Sequence, residues 1–306
     1  APALASVSGS YFIAFQDDSL GPVAVGLRST DSLFTPQQSS PLGVNTDGVT
    51  TQAGKQDLPT MAANSTGTLL IEWQDESNCS INARTYTPGG AFGSIQPISS
   101  GSGNVLGVVA SNGTGWVCVW QSGNDILFRT VGADGTPISA AQKVNDASHT
   151  GQQTHPSIAG LNDGRFAIVW NDRNSQDIFL QRYSASAQPI TGDQTSALNN
   201  LVTSGDQNAP TIAASSAAGG SYVSAWVDGG SGHIRARLIG GSANFLFNNV
   251  DGQSDEFQAS LADGRTRGNP AAAVGGSGPF VAIGWEDNTA DAKSGIYVRR
   301  FPLPAN

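Results

Sequence analysis

The side chains best suited to meet a ligand recur in a polar segment ahead of short Ala-rich runs. Gln56-Asp57-Leu58-Pro59, Gln153-Thr154-His155-Pro156, Gln207-Asn208-Ala209-Pro210 and Gly268-Asn269-Pro270 align, with Asn104 at the matching place in a further copy. Amide, carboxylate and imidazole groups converging from several copies could hydrogen-bond a polyhydroxylated ligand. The competing reading is that Gln and Asn satisfy backbone groups at tight crossovers. Catalysis is harder to build from them. Glycoside hydrolysis needs two carboxylates across a cleft, and Asp57 alone is acidic among these positions. His149, His155 and His233 have neither a nucleophile elbow nearby nor metal-ligand spacing.

Two charged sets repeat as well. Arg28, Arg84, Arg129, Arg182, Arg237 and Arg299 each end a short apolar run. If the hairpin turn centres near Asn78, Arg84 faces Glu72, and the other arginines face small or apolar residues. Their stems then lie over a neighbouring unit with the guanidinium on carbonyls or an Asp, a structural role; six anion sites for acidic glycans are the functional alternative. Asp17, Asp75, Asp172, Asp228 and Asp287 stand two residues after an aromatic, where Asp can start a turn. Calcium would need six or more oxygen ligands. The second carboxylates Asp18, Glu76 and Asp291 make that conceivable in three units only, so no cofactor is expected.

What must position these residues is a repeat. Apolar runs end on Phe15, Trp73, Trp120, Trp170, Trp226 and Trp285, at spacings of 58, 47, 50, 56 and 59 residues. Each is preceded by an Ala-rich run and followed by a polar turn and the Arg-bearing run. Periods of ~40–50 residues belong to propeller blades among β repeats. The runs are short, rich in β-branched and aromatic types, and fenced by Gly, Asn and Asp, which reads as strand. Phe166-Ala-Ile-Val-Trp170 is apolar on both faces, as in blades stacked around an axis. The expectation is an all-β, six-bladed β-propeller of mostly four-stranded blades, its last blade lacking the outer strand. One domain spans 1–306, in units 1–57, 58–103, 104–154, 155–208, 209–268 and 269–306.

Composition agrees. The chain has 306 residues, 38 of them Gly, and a formal net charge of −9. That charge argues against a nucleic-acid partner, and no apolar run is long enough to span a bilayer. Three Lys among fifteen basic residues and abundant Ser, Thr, Asn and Gln suggest a secreted or cell-surface protein. Cys79 and Cys118 fit no metal or CxxC spacing, and a turn cysteine with a core cysteine suggests two free thiols. Asn64, Asn78 and Asn112 open glycosylation triplets that decide nothing about origin. The longest insertion, 244–269, is acidic and aromatic.

The unit Asp163-Gly-Arg-Phe-Ala-Ile-Val-Trp170 with Ile178-Phe-Leu-Gln-Arg-Tyr183, and Ile296-Tyr-Val-Arg-Arg-Phe301, resembles Trp-containing repeats of large secreted bacterial proteins of the RTX/hemolysin and surface-adhesin kind. The resemblance covers six units loosely and about three well. It implies an extracellular propeller with recognition or adhesive duty and no named catalytic residues. The calcium nonapeptides of RTX domains are absent, and so are the Asp-box repeats of sialidases.

The functional expectation is therefore a non-catalytic recognition or adhesion module that binds carbohydrate or a surface protein. Its ligand residues are Gln56, Asp57, Asn104, His155, Gln207, Asn208 and Asn269. Two alternatives stand beside it. One is a polysaccharide-active hydrolase or lyase with Asp57 and His155 at the channel mouth. The other is a structural spacer in a giant adhesin.

Overall fold

The computed structural model describes residues 2–17, 24–46, 54–101, 103–195, 197–215, 220–240, 256–275, 280–287 and 295–302. Asp18, Asp291 and positions 244–255 of the long insertion lie outside the described residues. The protein is an all-β, six-bladed β-propeller, and by contacts its chain falls into two units, Ala1–Lys143 and Val144–Asn306.

The first unit holds three blades. Blade 1 comprises β1 (Ala3–Val7), β2 (Ser10–Asp17), β3 (Ala24–Thr30) and β4 (Leu42–Gly43). Blade 2 comprises β5 (Gln56–Ala63), β6 (Leu69–Asp75), β7 (Ser80–Thr87), β8 (Ala91–Phe92) and β9 (Gln96–Pro97). Blade 3 comprises β10 (Asn104–Ser111), β11 (Trp116–Ser122), β12 (Asp125–Val131) and β13 (Gln142–Lys143). In the second unit, blade 4 has β14 (Gln153–Gly160), β15 (Phe166–Asp172) and β16 (Asp177–Tyr183). Blade 5 has β17 (Gln207–Ser215), β18 (Ser221–Asp228), β19 (His233–Gly240) and β20 (Glu256–Gln258). Blade 6 has β21 (Arg267–Gly275), β22 (Phe280–Asp287) and β23 (Gly295–Pro302), with no fourth strand among the described residues.

All pairings within a blade are antiparallel, in chain order from the innermost strand outward. The second strands are buried on both faces: every residue of β6 and β15 is buried. Apolar seams form between neighbouring blades of one unit, as where Ile81, Ala83 and Ile98 of blade 2 meet Trp116, Cys118 and Trp120 of blade 3. Outer segments are pinned by side chains. Asn45 Oδ1 accepts the Val25 amide (3.0 Å), Ser99 Oγ that of Ile81 (2.8 Å), Asn199 Oδ1 that of Ile178 (2.8 Å) and Ser260 Oγ that of Ile234 (3.0 Å). Blade 4 thus gains a fourth edge from Leu198-Asn199 although no regular strand forms there.

The hairpin register differs from the expected one. Asp75 pairs with Ser80, so Arg84 stands opposite Ile71, and Glu72 stands opposite Ala83. A one-residue slip reverses the face of every side chain, which separates Glu72 from the arginine expected to meet it. Arg84 Nη1 instead reaches back to the Val44 carbonyl of blade 1 (3.1 Å). Arg129 donates to the Ile98 carbonyl (2.8 Å), Arg237 to that of Leu198 (2.8 Å) and Arg299 to that of Ala259 (3.2 Å). Each of these four bonds ties one blade to the outer segment of the blade before it.

Arg28 holds the same register position opposite Ile13, but Arg182 does not. Gln181 pairs with Ile168 at the repeat position and Arg182 with Ala167. The shift puts Arg182 on the other face, in a buried bidentate pair with Asp193 and on the Gly240 carbonyl (2.9 Å). Gln194, held by Gln181 (2.8 Å), donates to the Val144 carbonyl (2.8 Å), the counterpart of those the other arginines use. Both cysteines are free, Cys118 buried and Cys79 half-buried.

Candidate active site

The innermost strands share one irregularity. In β5, β10, β14, β17 and β21 the register against the second strand shifts within the aligned polar segment. The bulging residue is Leu58, Leu106, His155, Ala209 or Asn269, each at a φ of 47–55°. Non-glycine residues in that region cost of order 1–3 kcal/mol and persist where their surroundings over-determine them. In four blades the next residue is proline, which has no amide to leave unpaired at the bulge. Leu106 is followed by Gly107 instead, and the Leu106 amide itself donates to Gln74 Oε1 from β6 (3.1 Å).

The amide side chains before the bulge turn inward. Trp73 donates its indole N–H to Gln56 Oε1 (2.9 Å), Trp120 to Asn104 Oδ1 (2.9 Å), Trp170 to Gln153 Oε1 (2.7 Å) and Trp226 to Gln207 Oε1 (3.1 Å). Gln56, Gln153 and Gln207 are fully buried and Asn104 nearly so. A buried indole needs an acceptor, and these four residues supply it. Trp285 has Arg267 at that place and stacks on Tyr297 (ring centroids 6.4 Å).

The position after the cap is where the copies diverge: Asp57, Val105, Thr154, Asn208 and Gly268. In blade 2, Asp57 meets two further ionisable groups. Lys55 Nζ lies 2.8 Å from Asp57 Oδ2 and 2.6 Å from Glu76 Oε1. A backbone bond from the Glu76 amide to the Lys55 carbonyl (3.0 Å) fixes the arrangement. The same bond recurs between Arg173 and Gln152, Gly229 and Asp206, and Gly123 and Gly103. Blade 2 is therefore the copy in which both ends of that link, and the residue after the cap, are all charged.

The environments of the two carboxyls differ. Asp57 is buried, its Oδ1 without a hydrogen-bond partner. Burial pushes its pKa above the ordinary carboxyl value, and the neighbouring Glu76 adds to this against the opposing Lys55. Glu76 is exposed, and its bonds to Lys55 and Asp57 hold it below the ordinary range. Those contacts raise Lys55 well above its usual value. Two neighbouring acids pushed apart in this way are the pattern of an acid and its ionised partner.

The second unit carries its own polar cluster at the aligned positions. Arg173 Nη1 stands 3.6 Å from Asp206 Oδ2, and Asn208 Nδ2 reaches the Asp206 carbonyl and carboxylate (3.3 Å each). His155 is exposed beside them; partial burial and Arg173 lower its pKa, with Asp206 opposing. Asn269 donates to Glu286 Oε2 (2.7 Å). Asp57 and His155 belong to different units, each with its own partners.

The strand-end carboxylates shape turns. Asp75 Oδ1 accepts the Ser77 amide (2.9 Å), Asp172 Oδ1 that of Asn174 (2.8 Å) and Asp228 Oδ1 that of Gly230 (3.0 Å). Lys55 and Glu76 were missed as partners of Asp57 because they converge only through the β5–β6 pairing. Aligning the residue before the cap and the residue after the strand-end Asp across the copies would have exposed them.

No protein-family model and no curated protein matches the chain. Solved structures do. An α-L-arabinanase of Penicillium chrysogenum, complexed with arabinobiose, aligns over 98% of this chain and 92% of its own at 12% identity, with a TM-score of 0.57. A Hadza microbial sialidase aligns over 99% of this chain and 65% of its own at 12% identity, with a TM-score of 0.57. An α-L-arabinofuranosidase of Fusarium graminearum, bound to an iminosugar inhibitor, aligns over 99% and 92% at 13% identity, with a TM-score of 0.53. At such identity the likeness is one of fold. By name all three cleave glycosidic bonds. Together with the carboxylate pair, this corrects the expectation of a recognition or adhesion module without catalysis.

Proposed function

We propose that the chain is a glycoside hydrolase acting on polysaccharide, with Asp57 as proton donor and Glu76 as the ionised carboxylate. The observation that carries this reading is the Asp57–Lys55–Glu76 cluster, whose carboxyls are pushed in opposite directions at the divergent position of the repeat. Protonated Asp57 would supply the leaving-group proton. Glu76, kept ionised by Lys55, would attack or stabilise the anomeric carbon. Two carboxyls that share one ammonium sit closer than the ~6.5–9.5 Å of an inverting pair, which favours retention of configuration. The names of the structural neighbours make arabinose-containing polymers the first substrates to try. A polymeric substrate also favours a location outside the cell.

The test is hydrolysis of arabinan, arabinoxylan and aryl arabinofuranosides, with product anomers followed by NMR. The wild type should release sugar with retention, and Asp57→Asn and Glu76→Gln should each lower kcat by about 10²–10⁴. No turnover on a broad polysaccharide panel, or full activity in both variants, would overturn the proposal.

A further inference from the structure

At the other end of β5 from Asp57, the turns that close the inner hairpins of neighbouring blades differ in length. In blade 1, Val7 pairs with Ser10, so Ser8 and Gly9 make the whole turn, at φ of 50° and 81°. Two positive φ values in a two-residue hairpin are the type I′ geometry. Ala63 pairs with Leu69 in blade 2 and Ser111 with Trp116 in blade 3, which leaves the longer turns 64–68 and 112–115. These two turns meet: the Ser65 amide donates to the Gly113 carbonyl (2.8 Å) and Asn64 Nδ2 to that of Thr114 (2.8 Å). The short turn of blade 1 does not reach its neighbour in this way. No hydrogen bond joins the turns of blades 1 and 2 among the described residues.

The space left beside the short turn is a cavity of about 280 Å³, between Ser6, Val7 and Ser8 of blade 1 and Ala63 with positions 64–67 of blade 2. That is close to the ~300 Å³ lower end of small-molecule clefts. The two sides touch at Gly67, where a Cβ would come within 2.9 Å of Val7 Cγ1. Around this contact the lining is hydroxylic. The hydroxyls of Ser6, Ser8 and Ser65 belong to exposed residues and make no hydrogen bond within the protein. The Thr66 hydroxyl donates to Asn64 Oδ1 (2.8 Å), which leaves its oxygen to accept. Asn64 Oδ1 also accepts the Thr66 (3.1 Å) and Thr68 (2.9 Å) amides, so the blade 2 wall is held from within and anchored on blade 3. A wall fixed beforehand loses little freedom when a ligand binds.

The chemistry of the lining selects the ligand. It contains no charged side chain, so an ionic group entering would give up hydration without a counter-charge. An apolar ligand would strip the hydroxyls of water and leave them unpaired. A neutral sugar meets both conditions, because its hydroxyls, like those of serine, both donate and accept. We propose that this cavity is a second carbohydrate site, which holds one neutral sugar unit of a polysaccharide. Asp57 and Ala63 lie toward opposite ends of β5, about 20 Å apart at ~3.3 Å per residue. The cavity therefore grips a polymer away from Asp57 and Glu76; that the same polymer is cleaved there rests on the reading above.

The experiment is titration of the isotope-labelled full chain with arabinotriose, xylotriose and cellotriose, read by amide NMR shifts. At least one trisaccharide should move the amides of Ser8, Gly9, Thr66 and Gly67. Ser6→Ala with Ser65→Ala should weaken that response by about fivefold for each hydroxyl lost. Ser6→Leu with Ser65→Leu, which also fills the space, should abolish it. Both positions are exposed, so the variants should keep the wild-type unfolding midpoint. Shifts at these turns without any glycosidase activity would uphold this site while the carboxylate reading fell. Shifts confined to the surroundings of Asp57 and Glu76, no shifts with any of the three sugars, or a response undiminished in the leucine variant would overturn the proposal.

Discussion

Glu72 offers a direct test of the register found in blade 2. It is fully buried, and no N–H or O–H reaches either of its oxygens. The Cys118 thiol is beside it, a weak donor whose effect is far smaller than that of burial, and the pKa is pushed up to about 8 from an ordinary 4.5. For an acid with a raised folded-state pKa, the unfolded chain ionises first. Its contribution is therefore most favourable below pH 4.5 and is lost as pH rises toward 8. Each pH unit in that window costs ~1.4 kcal/mol. The loss is about 3 kcal/mol at pH 7 and about 5 kcal/mol above pH 8.

Glu72→Gln removes the ionisation but still buries an unpartnered amide, at a cost of about 1–3 kcal/mol. The variant should be less stable than the wild type at pH 4 and more stable at pH 9. Denaturant unfolding across that range, with Trp fluorescence as the probe, reads the crossing. A stability difference that stays constant within ~1 kcal/mol from pH 4 to 9 would refute the reasoning, since an Arg-paired or solvated Glu72 would behave in that way.

Three further outcomes follow from named contacts. Trp170→Phe leaves the buried Gln153 carbonyl without its donor and should cost about 1–3 kcal/mol beyond the loss of ring volume; Gln153→Ala in the variant background should recover part of it in a double-mutant cycle. A Cβ at Gly107 would overlap Glu72 Oε1, so Gly107→Ala should destabilise by about 1–3 kcal/mol and be relieved by Glu72→Ala, again read by denaturation. Any glycosidase activity should have an acidic optimum. It should fall at low pH as Glu76 protonates and at higher pH as Asp57 ionises, and Lys55→Met should move both limbs to higher pH because both carboxyls lose the cation that lowers them.

The fold was legible because each copy repeats the same signals: the aromatic closing an apolar run, the aligned proline and the Arg-bearing third run. What was not legible depends on half-residue differences. A turn centred midway between Ser77 and Asn78, rather than on Asn78, decides that Arg84 faces blade 1 while Glu72 faces Gly107 and Cys118. In blade 4 the Arg182 alignment is off by one, because Ile178 holds the register position of Ile81 and Ile126. Gln56, Gln153, Gln207 and Asn104 were visible as a set. Their bonds to the indoles needed the bulge, which moves a side chain without changing the sequence pattern.

Within a repeat, the sister copies serve as the comparison that other proteins would otherwise provide. Where blade 2 has Glu72, the others have Ala14, Val119, Val169, Ala225 and Gly284. Where it has Lys55, Asp57 and Glu76, blade 3 has Gly103, Val105 and Gly123. At that position the sister copies all carry a small or apolar residue, so packing there does not require an acid. An unpaired carboxyl costing about 3 kcal/mol at pH 7 is a large fraction of a domain's net stability. Strained or destabilising groups of that kind concentrate at functional sites. Both departures fall on β5, β6 and the turn that follows. Alternate residues Glu72, Gln74 and Glu76 lead along one strand face from the core to the exposed carboxylate. A purely structural account would have to explain why one blade carries both departures. The acid pair proposed at that end of blade 2, with Gln74 fixing the bulge of the next blade beside it, would account for both departures at once.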